Sequence, residues 1–516
     1  MVYQQTPLFL DPIYGPPVTL DPEAPEAPGA GRSRPVGVPY PATATATEEG
    51  AADTATDTGA TAAAPQAPDP VETAAPGDTA EPRLDGVRVV VINWRDPWQS
   101  VAGGAEEYAW RMSRHLAGRG ACLTFLTSRE PGQARQETRE GIVIRRMGRK
   151  FSVYPLVMLW LLLWRREFHV ALDCMNGIPF FSRLLLPRRT RVISVVHHVH
   201  DLQFNAYFSR PVAWFGRFIE STVASRVYRS CMTVTVSESS RRAMREKLRW
   251  RAPITVIHNG SPPVQPIATD PASASTRPDP APRADMGSPA VVSLGRLVVQ
   301  KRVSRVVDIA DRLRATRPGL RVHIVGRGPE SEPLAERVER DALHDHVRLH
   351  GFLPEGEKNA VLAGSVLHVT ASEFEGWGLT VIEAAGLGVP TVAYDVDGLR
   401  DSVRHGETGW LVREGEDLVE VVDKALAELG DPVRAAEISA ACRTWAARFT
   451  WENSGAAMTR LIASTPNLPG APATGAVLPA ATPVTAAAPV ATSAPIAAPA
   501  LSHPGMPGAP SHEAAT

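Results

Sequence analysis

The sequence predicts an α/β protein with two doubly wound, Rossmann-like domains that face each other across a cleft. Two observations predict this fold class: short apolar runs alternate with amphipathic stretches, and one proline-rich segment interrupts that alternation. Strands that alternate with helices indicate parallel βαβ units. The alternating part is about 380 residues long, which is enough for two cores. Because open α/β sheets bind ligands at the carboxyl ends of their strands, we expect the site in the cleft.

The two ends of the chain have a different composition and are predicted to be disordered. Residues 1–84 contain 15 of the 47 prolines and residues 466–516 contain 11, with few large apolar residues. Such segments bury too little apolar surface to offset the conformational entropy of the chain. The predicted organisation is a tail (1–84), a first domain (85–261), a linker (262–289), a second domain (290–440), a final helix (441–465) and a second tail (466–516).

The elements follow in order. The first domain begins with a strand at 87–93, a Gly-Gly loop and a helix from about Ala105, which Gly118 and Gly120 end. Its further strands are predicted at 121–127, 170–173, 191–197 and 231–236. In the second domain, strands are predicted at 290–294, 321–325, 347–349, 366–370 and 391–394. Helices are predicted over 379–387 and, after the last βα unit, over 445–463.

The charge is unevenly distributed. Residues 1–84 carry 12 acidic and 3 basic residues, whereas residues 85–265 carry 28 basic and 13 acidic residues. A basic domain attracts phosphates, nucleic acids or anionic membranes. Nucleic-acid binding is disfavoured because no nucleic-acid-binding module accompanies the charge. An unspecific solvated surface is the remaining alternative.

The predicted location is the cytoplasm. Cys122, Cys174, Cys231 and Cys442 form no C-x-x-C pair, which argues against a disulfide framework and a zinc site. The N-terminus has no basic region followed by an apolar one, so no secretory signal is expected. The apolar run at 155–164 is too short to span a bilayer. It is either a buried core helix or a helix that lies on a membrane surface.

Basic residues near this run make a peripheral position on the inner face of the cell membrane one interpretation. They precede it at Arg145, Arg146, Arg149 and Lys150 and follow it at Arg165 and Arg166. Residues 240–251 add six basic residues against one acidic residue. Basic residues beside an apolar segment suit an anionic membrane surface, although a core helix and a solvated helix explain the pattern equally well. Binding to anionic vesicles is expected to be salt-sensitive and reduced by charge reversal at Arg241, Arg242 and Arg245.

The strongest chemical signal is EGWGLTVIE at residues 375–383. Gly376 and Gly378 allow a tight turn and close approach of a ligand, and the helix that follows offers free amides to an anion. Glu375 is expected in the loop beside the ligand, and Glu383 lies just over one turn into the helix. One carboxylate can accept hydrogen bonds from a sugar and the other from a ribose. For two such glutamates alone, a helix cap and a solvated residue would be the simpler interpretation.

A second motif favours ligand binding by these glutamates over the simpler interpretation. Arg296 and Lys301 directly follow the predicted strand 290–294, at the edge of the sheet where a pyrophosphate would lie. Two cations in this position can neutralise the charge that develops on a diphosphate leaving group.

With these motifs the sequence resembles the retaining glycosyltransferases of family 4, which have the GT-B fold, over about residues 86–463. Individually weak, the motifs are specific in this order: GGAEEY (103–108), HHVHDLQF (197–204), GRLVVQK (295–301), VGRGPE (325–330), EGWGLTVIEA (375–384), GVPTVA (388–393) and GETGWLV (406–412). The long linker and both tails depart from the usual family pattern.

The resemblance implies that the first domain lies on the acceptor side and the second on the donor side, and it implies roles for the motif residues. Glu375 contacts the donor sugar and Glu383 the ribose, while Arg296 and Lys301 hold the diphosphate of a nucleotide-diphosphate sugar. The loop with Gly103 and Gly104 closes over it from the first domain. The resemblance also implies transfer without a metal or cofactor, and a final helix that crosses back to the first domain. The other predicted donor-site residues are Gly328, Gly376, Trp377, Gly378 and Leu379.

A histidine cluster follows the strand at 191–197. His197, His198 and His200 with Asp201 are metal-ligand types, but neighbouring residues of a strand point to opposite faces, which disfavours joint ligation. The family has a histidine here that faces the donor sugar, and His197 is the first choice, with His198 second. Because the leaving phosphate can take the acceptor's proton in a retaining transfer, this histidine would position and polarise.

The predicted function is retaining, metal-independent transfer of a hexosyl group to a lipid-linked, glycan or small-molecule acceptor. The predicted catalytic residues are His197, Glu375, Arg296 and Lys301. The alternatives are a nucleotide-sugar epimerase, a polymerising enzyme similar to glycogen synthase, and a catalytically silent scaffold whose tails recruit partners. The intact set of two glutamates, one arginine and one lysine argues against the scaffold.

Overall fold

The computed structural model describes residues 81–465 and 468, with gaps at 101, 150, 201–208 and 262–288. The predicted tails and linker therefore lie almost wholly outside the described residues. Leu84 and Leu468, which the prediction assigned to the tails, are both buried. The packed part of the chain thus extends slightly beyond both predicted borders.

The first domain contains an eight-stranded sheet. The strands stand in the order 3-4-2-1-5-6-7-8, and only the β3–β4 pair is antiparallel. The sequence did not predict β3, β4 or β8: β3 is polar with no buried residue, and β8 is three residues long. The strands are β1 (Arg88–Ile92), β2 (Cys122–Thr127), β3 (Gln136–Arg139), β4 (Ile142–Arg146), β5 (Val170–Met175), β6 (Arg191–Val196), β7 (Met232–Thr235) and β8 (Ile254–Val256).

Helices cover both faces of this sheet. Successive residues of β1 point to opposite faces, so Val89 and Val91 join the core under α1 while Val90 and Ile92 join the core under α2. A π-helical turn at Ile219–Ala224 joins α4 to α5. The helices are α1 (Gly104–Gly118), α2 (Val153–Leu163), α3 (Ser182–Leu185), α4 (Arg210–Phe218), α5 (Ser225–Val227) and α6 (Glu238–Glu246).

The second domain is built around a six-stranded, all-parallel sheet. All five predicted strands are present in the order 11-10-9-12-13-14, with β14 as an unpredicted edge strand. The strands are β9 (Ala290–Leu294), β10 (Arg321–Val325), β11 (Val347–Gly351), β12 (Leu367–Thr370), β13 (Thr391–Tyr394) and β14 (Gly409–Val412). The helices are α7 (Ser304–Leu313), α8 (Ser331–Arg340), α9 (Glu355–Ala363), α10 (Leu379–Gly386), α11 (Leu399–Ser402) and α12 (Leu418–Glu428). Two doubly wound sheets confirm the predicted fold class.

The C-terminal segment corrects one prediction. The single helix expected over 445–463 is two helices, α13 (Pro432–Ala446) and α14 (Trp451–Ala463). The hydroxyl of Thr450 accepts a hydrogen bond from the Asn453 amide (3.1 Å) and so caps α14 at its start. α13 packs on α10 of the second domain, whereas α14 packs on α1 of the first. The chain therefore returns to the first domain through α14.

Candidate active site

Two loops at the carboxyl ends of β9 and β10 pack backbone against backbone. A Cβ atom on Gly326 would lie 1.8 Å from the Gly295 carbonyl oxygen, and one on Gly328 would lie 2.1 Å from the Leu297 carbonyl oxygen. The Gly295 amide donates to the Val325 carbonyl (3.0 Å). Gly328 is therefore required by loop packing, and its predicted contact with a donor stays a prediction.

The predicted cation Lys301 and the predicted carboxylate Glu375 are in contact at the carboxyl ends of the strands. The Lys301 ammonium forms an ion pair with the Glu375 carboxylate, and both side chains are about one-fifth exposed (21% and 20%). The Ser372 hydroxyl also donates to Glu375 (3.0 Å). Ser372 was not among the predicted residues, although its position just after β12 places it at the same edge of the sheet. These contacts hold Glu375 at the carboxyl ends of the strands.

The Gly-Gly loop of the first domain reaches Arg296 and Leu379 of the second domain across the cleft. A Cβ atom on Gly103 would lie 3.8 Å from the Arg296 guanidinium carbon, and one on Gly104 would lie 2.8 Å from a methyl group of Leu379. The Gly103 amide donates to the Glu106 carboxylate (2.8 Å) at the start of α1. The structure thus brings together four predicted residues from both domains.

Glu383 lies in α10 and has a partner that the sequence did not reveal. Its carboxylate is 3.0 Å from the Lys358 ammonium, and both side chains are 24% exposed. Lys358 belongs to α9, 25 residues earlier in the chain. Since no motif surrounds Lys358, only the tertiary contact identifies it.

The first-choice histidine, His197, lies at the domain interface and is 5% exposed. A Cβ atom on Gly376 would lie 2.6 Å from its carbonyl oxygen, which also accepts from the Ser240 hydroxyl (3.1 Å). Its ring packs edge-to-face on Tyr108. Burial lowers the pKa of His197 to about 4, with a smaller effect from His200. The ring is therefore neutral at pH 7, and its Nε2 has no hydrogen-bond partner among the described residues.

The second-choice histidine, His198, lines a cleft cavity of about 280 Å³ together with Glu375. The cavity is rich in charged groups, and Arg400 pairs with Asp395 (2.5 Å). A larger cavity of about 510 Å³ between α1 and α14 contains none of the predicted site residues. The other residues that line the cleft cavity are Val199, Ser240, Ala243, Lys247, Glu373, Phe374, Asp395, Val396, Asp397 and Arg400.

The third histidine is held by a buried carboxylate. Glu220 is 2% exposed, and it accepts from the His200 amide (3.1 Å) and lies 3.0 Å from the His200 ring. Asp201 lies outside the described residues. Within the described ranges, no cluster of three or more histidine, cysteine, aspartate or glutamate residues could hold a metal ion. Metal-independent transfer remains a prediction.

The Trp377 side chain lies in a buried aromatic cluster. Its side chain is 3% exposed, and its ring packs on His258 (4.3 Å between centroids) and Phe449 (4.9 Å). These aromatic rings fill the interface where the chain passes between the domains. The predicted contact of Trp377 with the donor stays a prediction.

A second contact between the domains involves residues that were not predicted. The Asp401 carboxylate of α11 accepts from the Ser239 amide (2.7 Å) and the Ser239 hydroxyl (2.9 Å). Ser239 lies in the first turn of α6, where a carboxylate also interacts favourably with the helix dipole. The contact fixes the second domain beside the loop that contains Gly376.

The basic residues near the apolar run differ in position. The prediction that Arg146 belongs to a basic surface is wrong. Its side chain is 4% exposed and pairs with Asp96 (2.5 Å) and Glu137 (2.8 Å). In α6, Arg241 pairs with Glu238 (2.6 Å) and Arg245 donates to the Trp250 carbonyl. No helix in the described part of the chain is long and apolar enough to cross a bilayer. The predicted location stays a prediction.

Buried histidines make the free energy of unfolding depend on pH. Burial lowers the pKa of His368 to about 3, below the value of about 6.5 for an exposed histidine. At acidic pH the unfolded chain therefore binds a proton that the folded protein does not bind. This contribution to the free energy of unfolding is present above about pH 6.5 and is lost as the pH drops toward 3. We expect one such group to cost about 2 kcal/mol of unfolding free energy between pH 7.5 and 5.

The variant His368→Asn tests this prediction. His344→Asn is the control, because the His344 side chain is 61% exposed. Urea unfolding at the two pH values measures the loss. His368→Asn should lose less stability in acid than the wild type, whereas His344→Asn should follow the wild type. Equal acid sensitivity of all three proteins would contradict the assignment.

Comparison with known proteins identifies the family. Residues 277–440 match the family described as Glycosyl transferases group 1, and residues 102–263 match Glycosyltransferase Family 4. The chain belongs to glycosyltransferase family 4. The fold of this family member resembles sucrose-phosphate synthase from Thermosynechococcus elongatus (TM-score 0.59, 19% identity), with 73% of this chain and 98% of that chain covered.

The chain spans at most half the length of two of its sequence relatives and most of the length of a third. A GDP-mannose-dependent alpha-(1-6)-phosphatidylinositol monomannoside mannosyltransferase of Mycobacterium tuberculosis is 32% identical over 35% of this chain and 50% of its own length. The 2-deoxystreptamine N-acetyl-D-glucosaminyltransferase of Streptomyces fradiae is 28% identical over 63% of this chain and 82% of its own length. The chain covers only 25% of another relative, the UDP-N-acetylglucosamine--peptide N-acetylglucosaminyltransferase GtfA subunit of Streptococcus gordonii.

Proposed function

We propose that this glycosyltransferase moves a hexosyl group from a nucleotide-diphosphate sugar to an acceptor hydroxyl with retention of configuration. The observation that carries the proposal is the approach of the Gly103 backbone to the Arg296 guanidinium across the cleft. The loop after β9 that contains Arg296 also contains Lys301, which pairs with Glu375. Two cations next to a glycine-rich loop suit a diphosphate. The relatives named for GDP-mannose and for N-acetylglucosamine transfer support the same class of donor.

The residues of the donor site have separate roles in this reaction. Arg296 and Lys301 hold the diphosphate and stabilise the charge that develops as the bond between the sugar C1 and the phosphate oxygen breaks. Glu375 accepts hydrogen bonds from the sugar hydroxyls, and Glu383, fixed by Lys358 (3.0 Å), accepts from the ribose. The acceptor oxygen bonds to C1 on the face that the phosphate leaves, and its proton passes to the leaving phosphate oxygen. No protein base, metal or cofactor is required in this scheme.

The neutral His197 ring fits a positioning role. A neutral imidazole can polarise a sugar hydroxyl, and the Nε2 atom has no partner among the described residues. Its low pKa (about 4) excludes a cationic role at pH 7. His198 faces the neighbouring cavity, where it can contact the acceptor.

The cleft cavity supports a hydroxyl-rich acceptor group. Its carboxylates and its two cations, Lys247 and Arg400, can bind sugar or cyclitol hydroxyls. Such a group can belong to a glycan, a small molecule or the head of a lipid-linked acceptor. The names of the mycobacterial and Streptomyces relatives fit the last two kinds.

A thermal-shift screen tests the donor proposal. UDP, GDP, ADP and their sugar conjugates are added to the full chain, and the melting temperature is recorded. A bound donor at 100 times its Kd adds about 2.7 kcal/mol of stability, so one nucleotide series should raise the melting temperature by a few degrees. No shift with any nucleoside diphosphate or sugar conjugate would contradict the proposal.

A further inference from the structure

The outer face of α2 is apolar and exposed. The helix buries Val153, Val157 and Leu161 against the first sheet, but its other side remains exposed. Soluble helices present polar residues to solvent, and a helix that is apolar all round is normally buried. The outer face therefore needs a partner. Its side chains are Leu156, Leu159, Leu162, Leu163 and the adjacent Trp164, which are between 42% and 72% exposed.

The exposed apolar area continues onto α3 and has a basic rim. α3 contacts α2 and exposes Leu184 (67%). The Arg189 guanidinium donates to the Arg166 carbonyl (3.2 Å), so the basic segments that follow the two helices lie side by side. We call this surface the α2–α3 face. It comprises the five side chains of the outer face of α2, Leu184, and the exposed arginines Arg165, Arg166, Arg188 and Arg189.

The charge of the rim is almost entirely of one sign. Between residues 151 and 191 the only carboxylates are Glu167 and Asp173. Asp173 is fully buried and accepts from the Ser182 hydroxyl (2.6 Å), so it does not contribute to the surface. The face thus combines large apolar side chains with a surrounding excess of arginine.

We propose that the α2–α3 face rests on an anionic lipid surface. The leucines and the tryptophan enter the boundary between headgroups and acyl chains, and the arginines contact lipid phosphates. A second copy of the chain suits the face poorly, because a two-fold interface would bring one arginine rim against the other. Lipid contact through this face is independent of the proposed reaction, since none of these side chains lines the cleft cavity.

Vesicle flotation of the full chain tests the proposal without any donor or acceptor. The vesicles contain phosphatidylcholine alone or phosphatidylcholine with phosphatidylglycerol, at low and high salt. We expect binding to the anionic vesicles only, with release by salt. Leu159→Glu/Leu163→Glu and Arg165→Glu/Arg166→Glu should each weaken binding about tenfold or more, because one adds charge to the inserted side chains and the other reverses the rim.

Matched controls lie in the second domain. Val433→Glu changes an apolar side chain that is 68% exposed, and Arg305→Glu/Arg348→Glu reverses two exposed arginines. Both controls should bind as the wild type does, and all variants should keep its melting temperature. Equal binding of the α2 variants and their controls, or equal binding to neutral and anionic vesicles, would overturn the proposal. So would a wild-type dimer that Leu159→Glu/Leu163→Glu dissociates, because the face would then join two copies.

Discussion

Replacing Lys301 or Arg296 by alanine is expected to lower turnover by roughly 100- to 1,000-fold while the fold is kept. Both cations follow β9 at the cleft, where the leaving diphosphate gains charge in the transition state. Lys301 is also the ion-pair partner of Glu375, so its loss leaves that carboxylate without its cation. Release of nucleoside diphosphate from the donor found by thermal shift measures the effect, and the melting temperature shows that folding is intact.

A matched control separates site chemistry from a general loss of positive charge. Arg305 is an exposed arginine on α7 of the same domain, and Arg305→Ala should turn over donor at the wild-type rate. Lys301→Arg, which keeps the charge but changes the geometry, should lie between the wild type and Lys301→Ala. If Lys301→Ala and Arg296→Ala both matched Arg305→Ala, the proposed role of the cations would be wrong.

The change Gly376→Ala is expected to lower turnover at least about tenfold, which corresponds to about 1.4 kcal/mol of barrier. The added Cβ atom would lie 2.6 Å from the His197 carbonyl oxygen of the opposite domain. Either the loop or the whole domain must then move, and Glu375 next to it moves as well. Steady-state kinetics with the same donor measure the loss.

The control is a glycine with free space around it. Gly356 lies in the first turn of α9, and no heavy atom would lie within 4 Å of an added Cβ. Gly356→Ala should leave turnover unchanged and should stabilise the protein slightly, since alanine is the better helix former. Wild-type turnover in Gly376→Ala would show that the cleft tolerates the shift, and that the close approach of the two domains has no part in catalysis.

Local pattern was enough to predict most strands and the loops that follow them. Strands that are buried on both faces are mostly apolar, so β9 and β13 have the predicted bounds. The buried apolar residues of β10 were enough to predict its bounds as well, although Arg321 is exposed. The polar β3 and the short β8 lack this signal. The break between α13 and α14 was missed because a helical pattern continues through residues 447–450, while the cap at Thr450 acts only once the helix starts there.

The predicted residues that converge do so for a topological reason. Parallel strands place their following loops at one edge of the sheet, so Arg296 and Lys301 after β9 and Glu375 after β12 had to lie near each other. The choice between His197 and His198 had no such basis. Neighbouring residues after a strand differ in environment only once the other domain covers one of them, and here Gly376 covers His197.

The sequence by itself determined two doubly wound domains, the loops that carry the site, and the residue types in them, because these follow from local periodicity and from the edge rule of parallel sheets. The tertiary structure alone decided the partners of those residues. Lys358 with Glu383, Asp401 with Ser239, and Trp377 in an aromatic interface join segments far apart in the chain. It also decided which side of α2 is buried, since a helix that is apolar all round gives no periodicity to choose its inner face.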